Sequence, residues 1–102
     1  MRHAIIIAGM CMALAGPAPA QQARQESCRA TGDIVALAVS ARRNGQTADA
    51  VKARLTGGRD AVESLYVPTV GPLVDWVFGV DRAALTPRLA EDFKAQCLRY
   101  ER

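Results

Sequence analysis

Two cysteines, Cys28 and Cys97, constrain this chain more than any other feature, because they stand near opposite ends of everything that follows its apolar start. That start has the organisation of a secretory signal peptide. Arg2 and His3 give a short basic beginning, Ala4 to Ala15 is an apolar run, and Ala18-Pro19-Ala20 offers a small-x-small cleavage pattern. The run is about 12 residues, well short of the ~20 that a membrane-spanning helix needs. Residues 1–20 therefore read as a signal cleaved after Ala20, and residues 21–102 as one small domain, periplasmic or secreted, with no stable membrane span once the signal has gone. Cys11 belongs to the signal. Lipidation there is disfavoured, since Met10 stands where a lipoprotein signal places a small residue.

Export makes a disulfide the default for the remaining pair, and only one intramolecular connectivity exists. The loop would hold about 70 residues, for which the chain-entropy estimate is roughly 4 kcal/mol before strain is subtracted. In a domain this small that is a large share of the total stability. The competing reading, a reactive thiol, requires a cation or a helix N-terminus to lower its pKa. Arg29 and Arg99 lie nearby in sequence, but there is no Cys-x-x-Cys spacing.

The rest of the chain reads as helices separated by turn chemistry, giving an all-α fold: a bundle of three to four short helices clamped by one disulfide. In the first helix Cys28, Gly32, Val35, Val39 and Arg42 recur at helical spacing, with Ile34, Leu37 and Ala41 on an adjoining strip. Arg42-Arg43 followed by Asn44-Gly45 is its stop signal. Thr47 is placed to cap a second helix, with Asp49 in the first turn and Ala48, Val51 and Leu55 on the inner face; Gly57-Gly58 ends it. Asp60 is then expected to cap a short helical piece carrying Ala61, Val62, Leu65 and Tyr66, halted by Pro68.

Thr69 to Val80 is the most apolar segment after the signal, and Asp75 is its only charge. A strand over Val74 to Val80 competes with a helix started by Pro72, whose inner side would be Leu73, Trp76, Val77 and Val80. No second strand of equal strength is available for pairing, which favours the helix. Thr86-Pro87 opens the last helix with a capping hydroxyl and a first-turn proline, and Leu89, Phe93, Cys97 and Tyr100 form its stripe. Each cysteine thus faces the core from a terminal helix. Their α-carbons should lie roughly 4.4–6.8 Å apart, with Leu89, Phe93 and Tyr100 on one side of the contact and Val35 and Val39 on the other.

The succession of Cys28, the Arg42 to Gly45 turn, Tyr66 to Pro68, Leu85-Thr86-Pro87 and Cys97 resembles a group of short exported proteobacterial proteins with a signal and two cysteines. The resemblance covers most of the chain after the signal. It implies a compact helical fold, and the group carries no assigned activity.

Removing residues 1–20 takes away the only histidine and all three methionines, which excludes several chemistries. No histidine remains for a serine or cysteine triad or for a zinc site, and no Met/His set for copper. No Cys-x-x-Cys-His is present for covalent haem. The reading assigns no catalytic residue, no metal ligand and no cofactor. Removing Arg2 lowers the formal net charge from +3 to +2, and acids and bases alternate without a block of either sign, which is no footprint for nucleic acid. Gly57-Gly58-Arg59 is too short for a phosphate loop and reads as a turn.

Carboxylates are the remaining acid–base candidates. Glu91 and Asp92 are adjacent and point about 100° apart on a helix. Asp75, beside Trp76 in apolar surroundings, is the better one, against the simpler readings of a solvent-facing acid on the outer side of the helix or a partner for an arginine such as Arg82 or Arg88. Trp76 and Phe78 lie about 200° apart on a helix, so only one faces the core. The other, with Pro72 and Val74 nearby, forms a modest contact patch. Pro72, Trp76 and Phe78 are accordingly the candidate partner-contact residues of a non-catalytic interaction module, binding another envelope protein or a second copy of itself. The alternative is an inhibitor of an envelope enzyme or, further off, a carboxylate-dependent hydrolase.

Overall fold

The computed structural model describes residues 18–100, and the signal expected over residues 1–20 lies almost wholly outside them. The described chain forms four α-helices: α1 Pro19–Arg43, α2 Ala48–Gly57, α3 Val67–Gly79 and α4 Pro87–Arg99, with 3-10 turns at Ser64–Tyr66 and Arg82–Ala84. No strand occurs among the described residues, so Val74 to Val80 is not a strand. The expected cut after Ala20 falls in the first turn of α1.

At 25 residues α1 is longer than the short helices expected. It is the axis of the molecule, packing against α4, α3 and α2, while α2 also packs on α3. Its inner face is Cys28, Gly32, Ile34, Val35, Ala38, Val39 and Ala41. The stop after Arg43 is a Schellman motif: Gly45 N donates to the Arg42 carbonyl at 3.0 Å and Gln46 N to that of Ala41 at 2.9 Å. Gly45 has φ +84°, the left-handed region that the turn demands.

Thr47 caps α2 as expected, its Oγ1 accepting from Ala50 N at 3.1 Å, and Val51 and Leu55 are buried. Asp60 does not cap a following helix. Its carboxylate receives Arg54 Nε and Nη2 at 3.0 and 2.6 Å, while Arg54 Nη1 donates to Gln46 Oε1 at 2.8 Å. Arg54 thereby ties together the loops before and after α2, and residues 61–63 stay irregular. Leu65, expected on that short helical piece, lies in the 3-10 turn Ser64–Tyr66 and is 67 % exposed.

Pro68 starts a helix instead of halting one. It occupies the first turn of α3, where its missing N–H is no loss. Pro72 lies inside α3, and its ring faces out. Packing against α1 and α2 turns the inner face of α3 to Val70, Val74 and Val77, with Leu73 and Val80 half-buried and Trp76 outside.

Pro87 begins α4, but the Thr86 hydroxyl makes no capping bond; the backbone carbonyl of Thr86 accepts from Leu89 N at 3.0 Å. The inner residues are Ala90, which is buried, and half-buried Leu89, Phe93, Lys94 and Cys97. Tyr100, expected on this stripe, is 84 % exposed.

Candidate contact face and the disulfide cleft

The Cys28–Cys97 bond is formed, with α-carbons 5.7 Å apart, and joins α1 to α4 as the spacing predicts. Close approach of the two helices is possible because Gly32 lies one turn along from Cys28. A β-carbon at Gly32 would collide with Cγ, Cδ and Cε of Lys94, which lies across the bare backbone. The Lys94 ammonium reaches back to Asp33 Oδ1 at 3.6 Å.

Beside the bond is an open cleft of about 740 Å³, between the N-terminal turns of α1 and the end of α4. Pro19, Ala23 and Leu98 supply apolar walls, Arg29 and Lys94 cationic ones, and Cys28 reaches its floor. No residue of Pro19–Ser27 is buried, so this stretch of α1 overhangs the packed part of the molecule. Leu98, 48 % exposed, faces it across the cleft.

The other notable surface belongs to α3. Asp75 is the only charge among its residues, yet the helix is covered by protein on one side alone. Pro68, Pro72 and Trp76 recur every fourth residue along the uncovered side. Trp76 is 42 % exposed and rests against Phe93 of α4, ring centroids 6.0 Å apart and tilted by 42°. Phe78 turns the other way. It packs against the core, with the Arg42 guanidinium 6.0 Å above its ring. Of the three candidate contact residues, Pro72 and Trp76 are therefore outward and Phe78 is a structural residue.

Asp75 is 63 % exposed and pairs with Lys52 of α2 at 2.8 Å, in place of the expected arginine. The hydrogen bond from Lys52 to Asp75 raises the lysine's pKa; partial desolvation opposes this, and the charges of Asp75 and Asp49 add to it. Glu91 and Asp92 are exposed on α4. Neither they nor Asp75 line the cleft beside the disulfide. Among the described residues no group of His, Cys, Asp or Glu is arranged to hold a metal ion, and no helix is long and apolar enough to cross a membrane.

Comparison with protein-family models, with curated proteins and with solved structures gives no match to this chain.

The arginine that closes α3 is the residue that spacing missed. Arg42 Nη1 donates to the carbonyls of Val77 and Val80 at 2.8 Å each, filling acceptors that the end of α3 leaves open. In sequence Arg42 reads as a cation complementing the end of its own helix. The available signal was its recurrence on the inner stripe with Cys28 and Val35, where a charge requires a partner.

Proposed function

We propose that this chain is a small exported, non-catalytic interaction module that meets its partner through the outer side of α3. The observation that carries this reading is the row Pro68, Pro72 and Trp76 on the uncovered side of an otherwise apolar helix. A helix apolar on all sides is ordinarily covered on all sides. A half-exposed tryptophan is also the residue type most enriched at binding hot spots.

Export is supported by the apolar leader with its small-x-small pattern and by the disulfide, which persists in oxidising compartments. The shared order of cysteines and turn motifs supports grouping the chain with the short two-cysteine exported proteins it resembles.

The test is affinity capture from an envelope extract with mass spectrometry, using wild type, Trp76→Ala and Pro72→Ala. Tyr100→Ala, an exposed aromatic just past the end of α4, serves as the control. Loss of the same captured protein with both α3 variants and retention with Tyr100→Ala is expected. Unchanged recovery with Trp76→Ala would overturn the assignment of this face.

A further inference from the structure

The cleft between the overhang of α1 and the end of α4 leads to the one covalent bond here that opens without cutting the chain. Cys28 is buried, yet it lies outside the contiguous core built around Val35, Val39, Val51, Val74 and Val77, and it forms part of the cleft floor. Cys97 is only half-buried. The bond therefore sits at the edge of the packed interior, outside the contiguous core.

We propose that the Cys28–Cys97 disulfide exchanges with dithiols in the folded protein, through this cleft, and acts as a redox-sensitive clasp on the N-terminal part of α1. In the first step a thiolate of the dithiol attacks the sulfur of Cys28, the cysteine that lines the cleft. A new sulfur–sulfur bond forms, the Cys28–Cys97 bond breaks, and its electron pair leaves on the Cys97 sulfur as a thiolate. The second thiol of the reagent then attacks its own sulfur in the mixed disulfide and displaces the Cys28 thiolate. Two electrons have passed from the dithiol to the protein, the reagent leaves as a disulfide, and the two cysteines take up two protons. Arg29 and Lys94 line the route together with Glu26, so two cations against one carboxylate face an approaching anionic thiolate. Lys94 lies one turn before Cys97 on α4, where its charge favours the departing thiolate.

Reduction acts locally. Residues 21–27 bury no side chain fully, and the bond at Cys28 is the first covalent cross-link they meet, whereas α1 beyond Gly32 is held by the core. Opening the clasp loosens the overhang and the last turn of α4 and leaves α2 and α3 in place.

The experiment measures reduction of the folded protein by dithiothreitol, with thiols counted after an acid quench, for wild type, Leu98→Trp and Val74→Ala. Leu98→Trp narrows the cleft, while Val74→Ala destabilises a fully buried core site on another helix. Reduction through the cleft predicts a rate that Val74→Ala and low urea change by less than about twofold, and that Leu98→Trp slows by about threefold or more. If reduction instead waits for unfolding, Val74→Ala speeds it by about tenfold, in step with the unfolded population, and the proposal fails. It fails equally if a folded Leu98→Trp is reduced as fast as wild type; should that variant not fold, the Val74→Ala and urea results decide alone.

Discussion

Arg42, in the last turn of α1, donates from Nη1 to the carbonyl oxygen of Val80 at 2.8 Å, across 38 positions of sequence. The same nitrogen donates to Val77 at 2.8 Å, and the guanidinium stands over Phe78. One cation thus closes a helix that has no charged residue in its own last turn. Replacing Arg42 with Met keeps much of its bulk and removes both bonds. We expect a loss of about 2–3 kcal/mol, because hydrogen bonds to charged groups are stronger than neutral ones and the carbonyls would be left open. Arg43→Met, on an exposed neighbour, should change little. Urea denaturation of the two variants checks the contrast.

Reducing the disulfide, or replacing Cys28 and Cys97 with Ser together, should lower the thermal midpoint by at least about 10 °C. The chain-entropy value of roughly 4 kcal/mol for a loop of this length corresponds to more than that in a domain of this size. A melting curve followed by circular dichroism with and without reductant makes the measurement. An unchanged midpoint would mean that the clasp contributes nothing to stability.

Two threonines stand before helices, and only one uses its hydroxyl. Thr47→Ala should cost about 1 kcal/mol, because Oγ1 accepts from Ala50 N. Thr86→Ala should cost less than about 0.5 kcal/mol, the range of surface changes that break no specific interaction. Equal losses in chemical denaturation would contradict the observed caps.

Gly45→Ala should cost about 1–2 kcal/mol, the penalty an L-residue carries in the left-handed region. The space around the α-carbon is open, so the loss is conformational and not steric. Gly45→Asn, which tolerates that region better, should recover part of it in the same denaturation assay.

Lys52 makes stability sensitive to alkaline pH. Its pKa is raised in the folded protein above the ordinary 10.5, chiefly by the hydrogen bond to Asp75. A raised folded pKa means a contribution fully present below the unfolded value and lost as pH rises through the folded one. The difference in stability between wild type and Lys52→Met should therefore be constant at neutral pH and shrink above pH 10.5. The pair lies at the surface, with Lys52 half-buried and Asp75 exposed, so the whole effect is small and should weaken further in high salt.

The helices whose apolar rows or end signals are local were legible from the residues alone. The stop of α1 at Asn44-Gly45, the Thr47 cap, the Pro87 start and the clamp between α1 and α4 all follow from residues a few positions apart or from the cysteine pair. Backbone angles, capping and helical periodicity act over one or two turns, so they can be read without knowing the fold. Tertiary structure decided what lies between. It set the rotation of α3, with Trp76 outward and Val70, Val74 and Val77 inward. It paired Asp60 with Arg54, Asp75 with Lys52, and Arg42 with the end of α3. These choices depend on which groups meet across a packed interface, and a charge or a proline near a helix end has several local uses of similar energy. The outer row of α3 and the cleft at Cys28 belong to the same class, because exposure is a property of what fails to cover a surface, which no local pattern records.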